Sequence, residues 1–132
     1  MSDQKTETLD RRVMASFREG DADGAAGIVA MLIDQFLAEA AVQTERLREA
    51  GRQSQAATLT AAAHNLKGSA LTMGAMRLGS LCGAIEAGAA GRPYADHAGV
   101  PMADLLNEVE QEMVHVREAL LAEREGAGPY DS

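Results

Sequence analysis

The chain has no tryptophan, only 3% aromatic residues and a single cysteine, Cys82. A core built on large rings is therefore excluded, and so is an internal disulfide. Long hydrophobic runs are missing as well: no apolar stretch reaches the roughly 18 residues that would mark a membrane span. Positive charge is scarce, with 12 Lys and Arg against 20 Asp and Glu, a net charge of -8 and a pI near 4.8. Neither a nucleic-acid footprint nor an anionic membrane surface suits that balance, since both need clustered cations on one face. Met1 to Thr8 is polar and carries acids, unlike a secretory signal, so the expected setting is reducing and cytoplasmic. No segment shows sustained period-two alternation with β-branched enrichment, and no phosphate-cradling P-loop or Rossmann glycine pattern occurs.

What remains is 132 residues with 46% apolar content, enough for one domain with one core made of Leu, Ile, Val, Met and many alanines. Small side chains suit close helix packing. Asp10 fits an N-cap, with Leu9 before it stapling onto Met14, and Val13, Met14 and Phe17 form the apolar side of a short first helix that Gly20 ends. Asp23 is the next cap. Ile28, Leu32, Phe36 and Ala40, flanked by Val29, Ile33 and Leu37, predict a long helix reaching towards Leu47, with Gly51 as its stop. Ser54 is read as the N-cap of a third helix that turns Leu59, Ala62, Ala63, Leu66, Ala70 and Met73 inward and ends at Gly74 in a C′ position. A fourth begins near Ala75, turns Leu78, Leu81, Cys82, Ile85 and Ala89 inward, and stops at Gly91, Arg92 and Pro93. Pro101 starts the fifth. Its stripe is Leu105, Leu106, Val109, Met113, Val116 and Leu120, with Glu108, Glu110, Glu112 and Arg117 outward on a solvated face. The expected fold is all-α: an antiparallel four-helix bundle with a short additional N-terminal helix over one end. Residues 1–8 are expected to be a flexible N-terminus, 9–125 the bundle and 126–132 a flexible tail.

The chemical signal lies in the third helix, in the run Ala63, His64, Asn65, Leu66, Lys67, Gly68 and Ser69, followed by Gly74 and Ala75. Residues three and four apart are neighbours on a helix, which places Lys67 and Gly68 beside His64. A lone histidine on a helix is ordinarily a solvated residue. Gly68 changes that reading, because a mid-helix glycine costs roughly 1 kcal/mol relative to alanine and needs a compensating reason. One reason is a tight helix crossing; another is the close approach of a second protein. Angular position favours the second, since Thr60, His64, Lys67, Gly68 and Leu71 map to an outward stripe away from Leu66, Ala70 and Met73. An imidazole with a pKa near about 6.5 is mostly unprotonated at pH 7 and can act as a nucleophile. Lys67 would assist a negatively charged phosphoryl group electrostatically, as a modulator, since an exposed charge pair contributes about 0–1 kcal/mol.

Other candidates are weaker. His97 and His115 lack the paired spacing of a zinc site, and Cys82 lies on an apolar face, so all three are read as structural or solvated. Gly79 and Gly83 have small-xxx-small spacing, read as close packing within the bundle.

The run around His64 closely resembles the phosphorylation motif of histidine-containing phosphotransfer (HPt) domains. Phe36, Leu37, Ala38, Glu39 and Ala40 are similar to a Phe-Leu-x-Glu-like segment that precedes the histidine in that family. Leu78, Leu81, Cys82, Ile85 and Glu86 are similar to its pattern after the Gly-Ala pair, so the resemblance spans about residues 9 to 122. Ala70 stands where the family often has a second Ser, and Asn65 where Thr is frequent; the run also differs from the His-Ser-Ile-Lys-Gly-Gly tendency of chemotaxis kinases. The resemblance implies that His64 is the phosphorylated nucleophile, that Lys67 lies near the phosphoryl group and that Ser69 supports the helix by local hydrogen bonding. It further implies that Gly68, with Thr60 and Leu71 on the same stripe, meets the partner. The implied partners are response-regulator receiver domains and a hybrid sensor kinase. The chain itself would be a monomeric phosphocarrier without a kinase domain, binding no cofactor, with Mg²⁺ supplied by the receiver. The competing readings are a non-phosphorylated helical adaptor docking through the same face and, behind it, an enzyme. Against the enzyme stands the absence of a nucleophile or orienting carboxylate within the motif.

Overall fold

The computed structural model describes residues 8–20, 27–92, 94, 97 and 99–126. Among them are five helices and no strand: α1 (Arg11–Gly20), α2 (Ile28–Arg52), α3 (Ala56–Thr72), α4 (Met76–Ala89) and α5 (Met102–Gly126). α2 packs on α3, α3 on α4, α4 on α5 and α5 back on α2, which closes a four-helix bundle. Its antiparallel sense is visible in the ion pairs between α2 and α5. Asp34 near the start of α2 takes both oxygens' bonds from Arg124 near the end of α5, each at 2.8 Å. Arg48 near the end of α2 meets Glu110 in the first half of α5 at 3.1 Å.

Ile33, Leu47, Leu66, Leu78, Leu81, Ile85, Val116 and Leu120 are fully buried, interleaved with Ala40, Ala63, Ala70 and Ala75. Leucine against alanine lets the helices approach closely, with Phe36 as the one buried aromatic ring among the described residues. α1 lies over one end. Asp10 caps it by accepting the Arg12 amide hydrogen on Oδ1 at 2.8 Å, and the Asp10 amide donates to the Gly74 carbonyl at 2.8 Å. Leu9 and Met14 are both buried beneath it.

Three turns are built alike, with the amide two residues past the cap returning to the third-last helical carbonyl. These bonds are Gln55 to Ala50 at 2.9 Å, Ala75 to Ala70 at 2.8 Å and Arg92 to Ala87 at 2.8 Å. Gly74 (φ +83°) and Gly91 (φ +76°) occupy the left-handed position in the second and third, as their expected roles as helix stops require.

The first of the three turns departs from expectation. Gly51 does not stop α2; it lies within the last turn, where a Cβ would sit 2.5 Å from Leu106 Cδ1, so its reason is the close passage of α5. Ser54 is not an N-cap; it takes the left-handed position itself, at φ 54°, and Gln55 precedes α3 without a side-chain cap. The Asp23 cap falls outside the described residues.

Two faces also differ. In α2 the buried seam is Val29, Ile33, Phe36, Ala40, Gln43, Leu47 and Ala50. Ile28 is exposed and Leu32 half-buried, so the stripe is rotated from the expected phase. In α5 Glu112 is buried at 7% exposure, not solvated, with Arg77 Nε 3.5 Å and His115 Nδ1 3.6 Å from its Oε1. The neighbouring helix supplies a cation there, which periodicity within α5 cannot reveal. α5 also runs through Gly126, one residue into the expected tail. No described helix is long and apolar enough to cross a membrane.

Candidate functional site

α3 carries the site because its two faces are chemically separate. Leu59, Ala62, Ala63, Leu66 and Ala70 are buried against the bundle. His64 stays out, with 66% of its side chain exposed. Gly68 is exposed one turn on, and a Cβ added there meets nothing within 4 Å. A helix crossing is thereby excluded as its reason among the described residues.

The structure adds a group that the motif does not contain. Glu86, on α4, places Oε2 3.0 Å from His64 Nδ1 and Oε1 2.8 Å from Lys67 Nζ. Its side chain is only 20% exposed, and the Lys67 ammonium as donor, joined by His64 and opposed by burial, holds the carboxyl below its ordinary value of 4.5. Glu86 in turn raises the Lys67 ammonium above its ordinary 10.5. A charged carboxylate can only accept, so Nδ1 carries the hydrogen and Nε2 keeps its lone pair. The pair thus selects the ring nitrogen that is free to react. Sequence reasoning missed this role because Glu86 lies 22 residues from His64, beyond any motif window. One signal was present: Glu86 is the sole acid in α4 and follows the buried Cys82 by four residues, on the inward side of the helix.

The remaining expected residues separate into two groups. Thr60, half-buried, donates its hydroxyl to the Ala56 carbonyl at 2.9 Å, and Thr72 donates to Gly68 at 2.9 Å, so these hydroxyls make the local bonds seen along α3. Ser69 lines a groove between α2 and α3 with Leu32, Gln35, Phe36, Glu39, His64, Asn65, Gly68, Thr72 and Met73. Leu71 is 42% exposed, yet its Cδ2 lies 2.5 Å from where a Cβ on Gly79 would stand, so it partly serves the α3–α4 packing. Gly83 is covered by the Tyr94 phenol from the α4–α5 connection, not by another helix. Cys82 is fully buried, and burial pushes its thiol up to about 12, which leaves it inert as a nucleophile. His97 packs beside Tyr94 with ring centroids 6.4 Å apart, and His115 is largely exposed.

A solvent-facing imidazole, a carboxylate, an ammonium and a bare backbone position thus share one face of the four-helix bundle. Residues 31–119 match the Hpt domain family model, and the chain belongs to that family. It is similar to the crystal structure of histidine-containing phosphotransfer protein B from Pseudomonas aeruginosa PAO1. The identity is 27% and the TM-score 0.76, over 92% of this chain and 97% of that one. No curated protein sequence matches the chain.

Proposed function

We propose that this chain carries phosphoryl groups between receiver domains of a two-component phosphorelay, with His64 as the carrier residue. The observation that carries this reading is the exposed His64 ring held through Nδ1 by Glu86. In the forward step the Nε2 lone pair forms the N–P bond as the acyl O–P bond of a receiver aspartyl phosphate breaks, regenerating the aspartate carboxylate. The ring then bears positive charge shared towards Nδ1–H, which Glu86 stabilises. The reverse step breaks N–P as a second receiver's carboxylate bonds phosphorus. Lys67 assists by offsetting part of the phosphoryl charge. The receiver supplies Mg²⁺ and the acidic pocket, and this chain contributes no cofactor of its own. A hybrid sensor kinase as upstream donor, a monomeric state and a cytoplasmic location complete the proposal.

His64→Gln tests it. Because His64 is exposed and outside the core, the variant should keep the helical circular dichroism spectrum while losing all phosphoryl acceptance from a phosphorylated receiver, read by intact mass. Acceptance at the wild-type rate would refute the carrier assignment and leave the adaptor reading.

A further inference from the structure

Resting on that phosphotransfer reading, the structure points to a recognition group for the docking receiver that is separate from the reacting histidine. Of the buried side chains in the bundle, only Gln43 and Glu112 are polar or charged among the described residues. Glu112 has Arg77 beside it. Gln43, 2% exposed in the α2 seam between Ala40 and Leu47, has no such pairing: its Nε2 donates to Glu39 Oε2 at 2.8 Å, and its Oε1 has no partner among the described residues. A buried amide leaving one polar atom unpaired opposes folding, and leucine would fill the same seam without that cost. What the amide achieves is to hold a surface carboxylate in one place.

That carboxylate stands on the wall of the groove beside His64. The groove is lined by Leu32, Phe36 and Met73 and by the uncharged polar side chains of Gln35, Asn65, Ser69 and Thr72, with Glu39 as its carboxylate. Ile28 and Met31, 40% and 51% exposed, extend the apolar strip along α2, since the buried seam is rotated away from them. Glu39 has a neutral hydrogen-bond donor but no cation among its contacts with the described residues. A partner closing over this groove would strip water from this charge, and an unmatched carboxylate at a drying interface opposes binding. We propose that Glu39, held by Gln43, selects receiver domains that lay an apolar helix face in this groove and bring a lysine or arginine to Glu39. A preset carboxylate loses little freedom on pairing, which is what fixing it through a buried amide secures.

The test uses the full chain and the receiver domain that exchanges phosphate with it fastest in a screen of the source cell's receivers, with binding read by calorimetry at two salt concentrations. Glu39→Gln should weaken binding roughly two- to fivefold and reduce its salt dependence. Glu39→Lys should weaken it by about tenfold or more, because like charges then face each other, and reversing the matching basic residue of the receiver should restore it. Gln43→Leu should keep or raise the melting temperature while weakening binding less than Glu39→Lys. In each variant the helical circular dichroism spectrum should match wild type, which isolates docking from folding. Wild-type affinity and salt dependence in Glu39→Lys would overturn the proposal while leaving the carrier function intact. Failure of every receiver, and of phosphoramidate, to phosphorylate wild-type His64 would instead overturn the phosphotransfer reading on which it rests.

Discussion

One carboxylate, Glu86, makes two contacts at once: one oxygen accepts from His64 Nδ1 and the other pairs with the Lys67 ammonium. Replacing it with glutamine keeps the size but admits an N–H donor facing Nδ1, which would move the ring hydrogen to Nε2 and occupy the reacting lone pair. Glu86→Gln should therefore slow transfer, on the order of tenfold for loss of a charge-assisted hydrogen bond, with ¹⁵N shifts of the imidazole reporting the changed tautomer population. Unaltered ring shifts and rates would reduce Glu86 to a structural contact. Lys67→Ala acts differently, because it removes the cation yet leaves the carboxylate beside the incoming phosphoryl. A partial loss of roughly two- to fivefold in transfer rate or phosphohistidine lifetime is expected. Adding Glu86→Gln to Lys67→Ala should then cost less than the two separate losses combined, since the repelling charge is gone. Multiplicative losses would show that the two residues act independently.

The α3 helix is divided between packing and access, and Gly68 marks the boundary. With open space around it, glutamine at this position gains about 0.5–1 kcal/mol of helix propensity and meets no neighbour, so thermal unfolding should rise by a few degrees. Receiver transfer should fall by about a hundredfold, because a side chain one turn from His64 would hold the aspartyl phosphate about 1 Å off its line of approach. Melting curves and transfer kinetics on one preparation read both changes. Lower stability with normal transfer per folded molecule would show that Gly68 serves packing. Gly51 and Gly79 illustrate that opposite case: each lies under a leucine from a neighbouring helix, Leu106 and Leu71.

Across the whole molecule the ionic pairs, two of them joining different helices, shape its behaviour with pH. Arg12 lowers the Asp10 carboxyl, Arg124 that of Asp34, Arg52 and Gln53 that of Glu49, and Lys67 with His64 that of Glu86. A depressed carboxyl favours the folded state at pH above its unfolded value, and that contribution disappears as pH falls through the lower folded value. Stability should thus hold near neutrality and decline below about pH 4.5, the ordinary glutamate value. Lys67, raised above 10.5, loses its contribution only as pH climbs past that. Circular dichroism melts from pH 3 to 7 should show the acid decline, and Glu86→Gln, which removes the one of these acids paired with both an ammonium and an imidazole, should flatten it most. An identical acid limb in that variant would locate the linkage elsewhere.

From the order of residues alone came the helical class, α1's cap at Asp10, the stops at Gly74 and Gly91, and the outward placement of His64 and Gly68 on α3. Each is local, decided by bonds or surface neighbours within about one helical turn. Only the tertiary structure could bring Glu86 from α4 to His64 and Lys67, bury Glu112 beside Arg77, make Gly51 a passage for Leu106 and turn Gln43 inward to hold Glu39. Those outcomes depend on which faces of different helices meet, and the small rotation of α2 that exposes Ile28 is set by the fit of four helices together. Periodicity within one segment specifies a stripe to within a residue or so; packing against three neighbours chooses its phase, and with it which polar groups share a site.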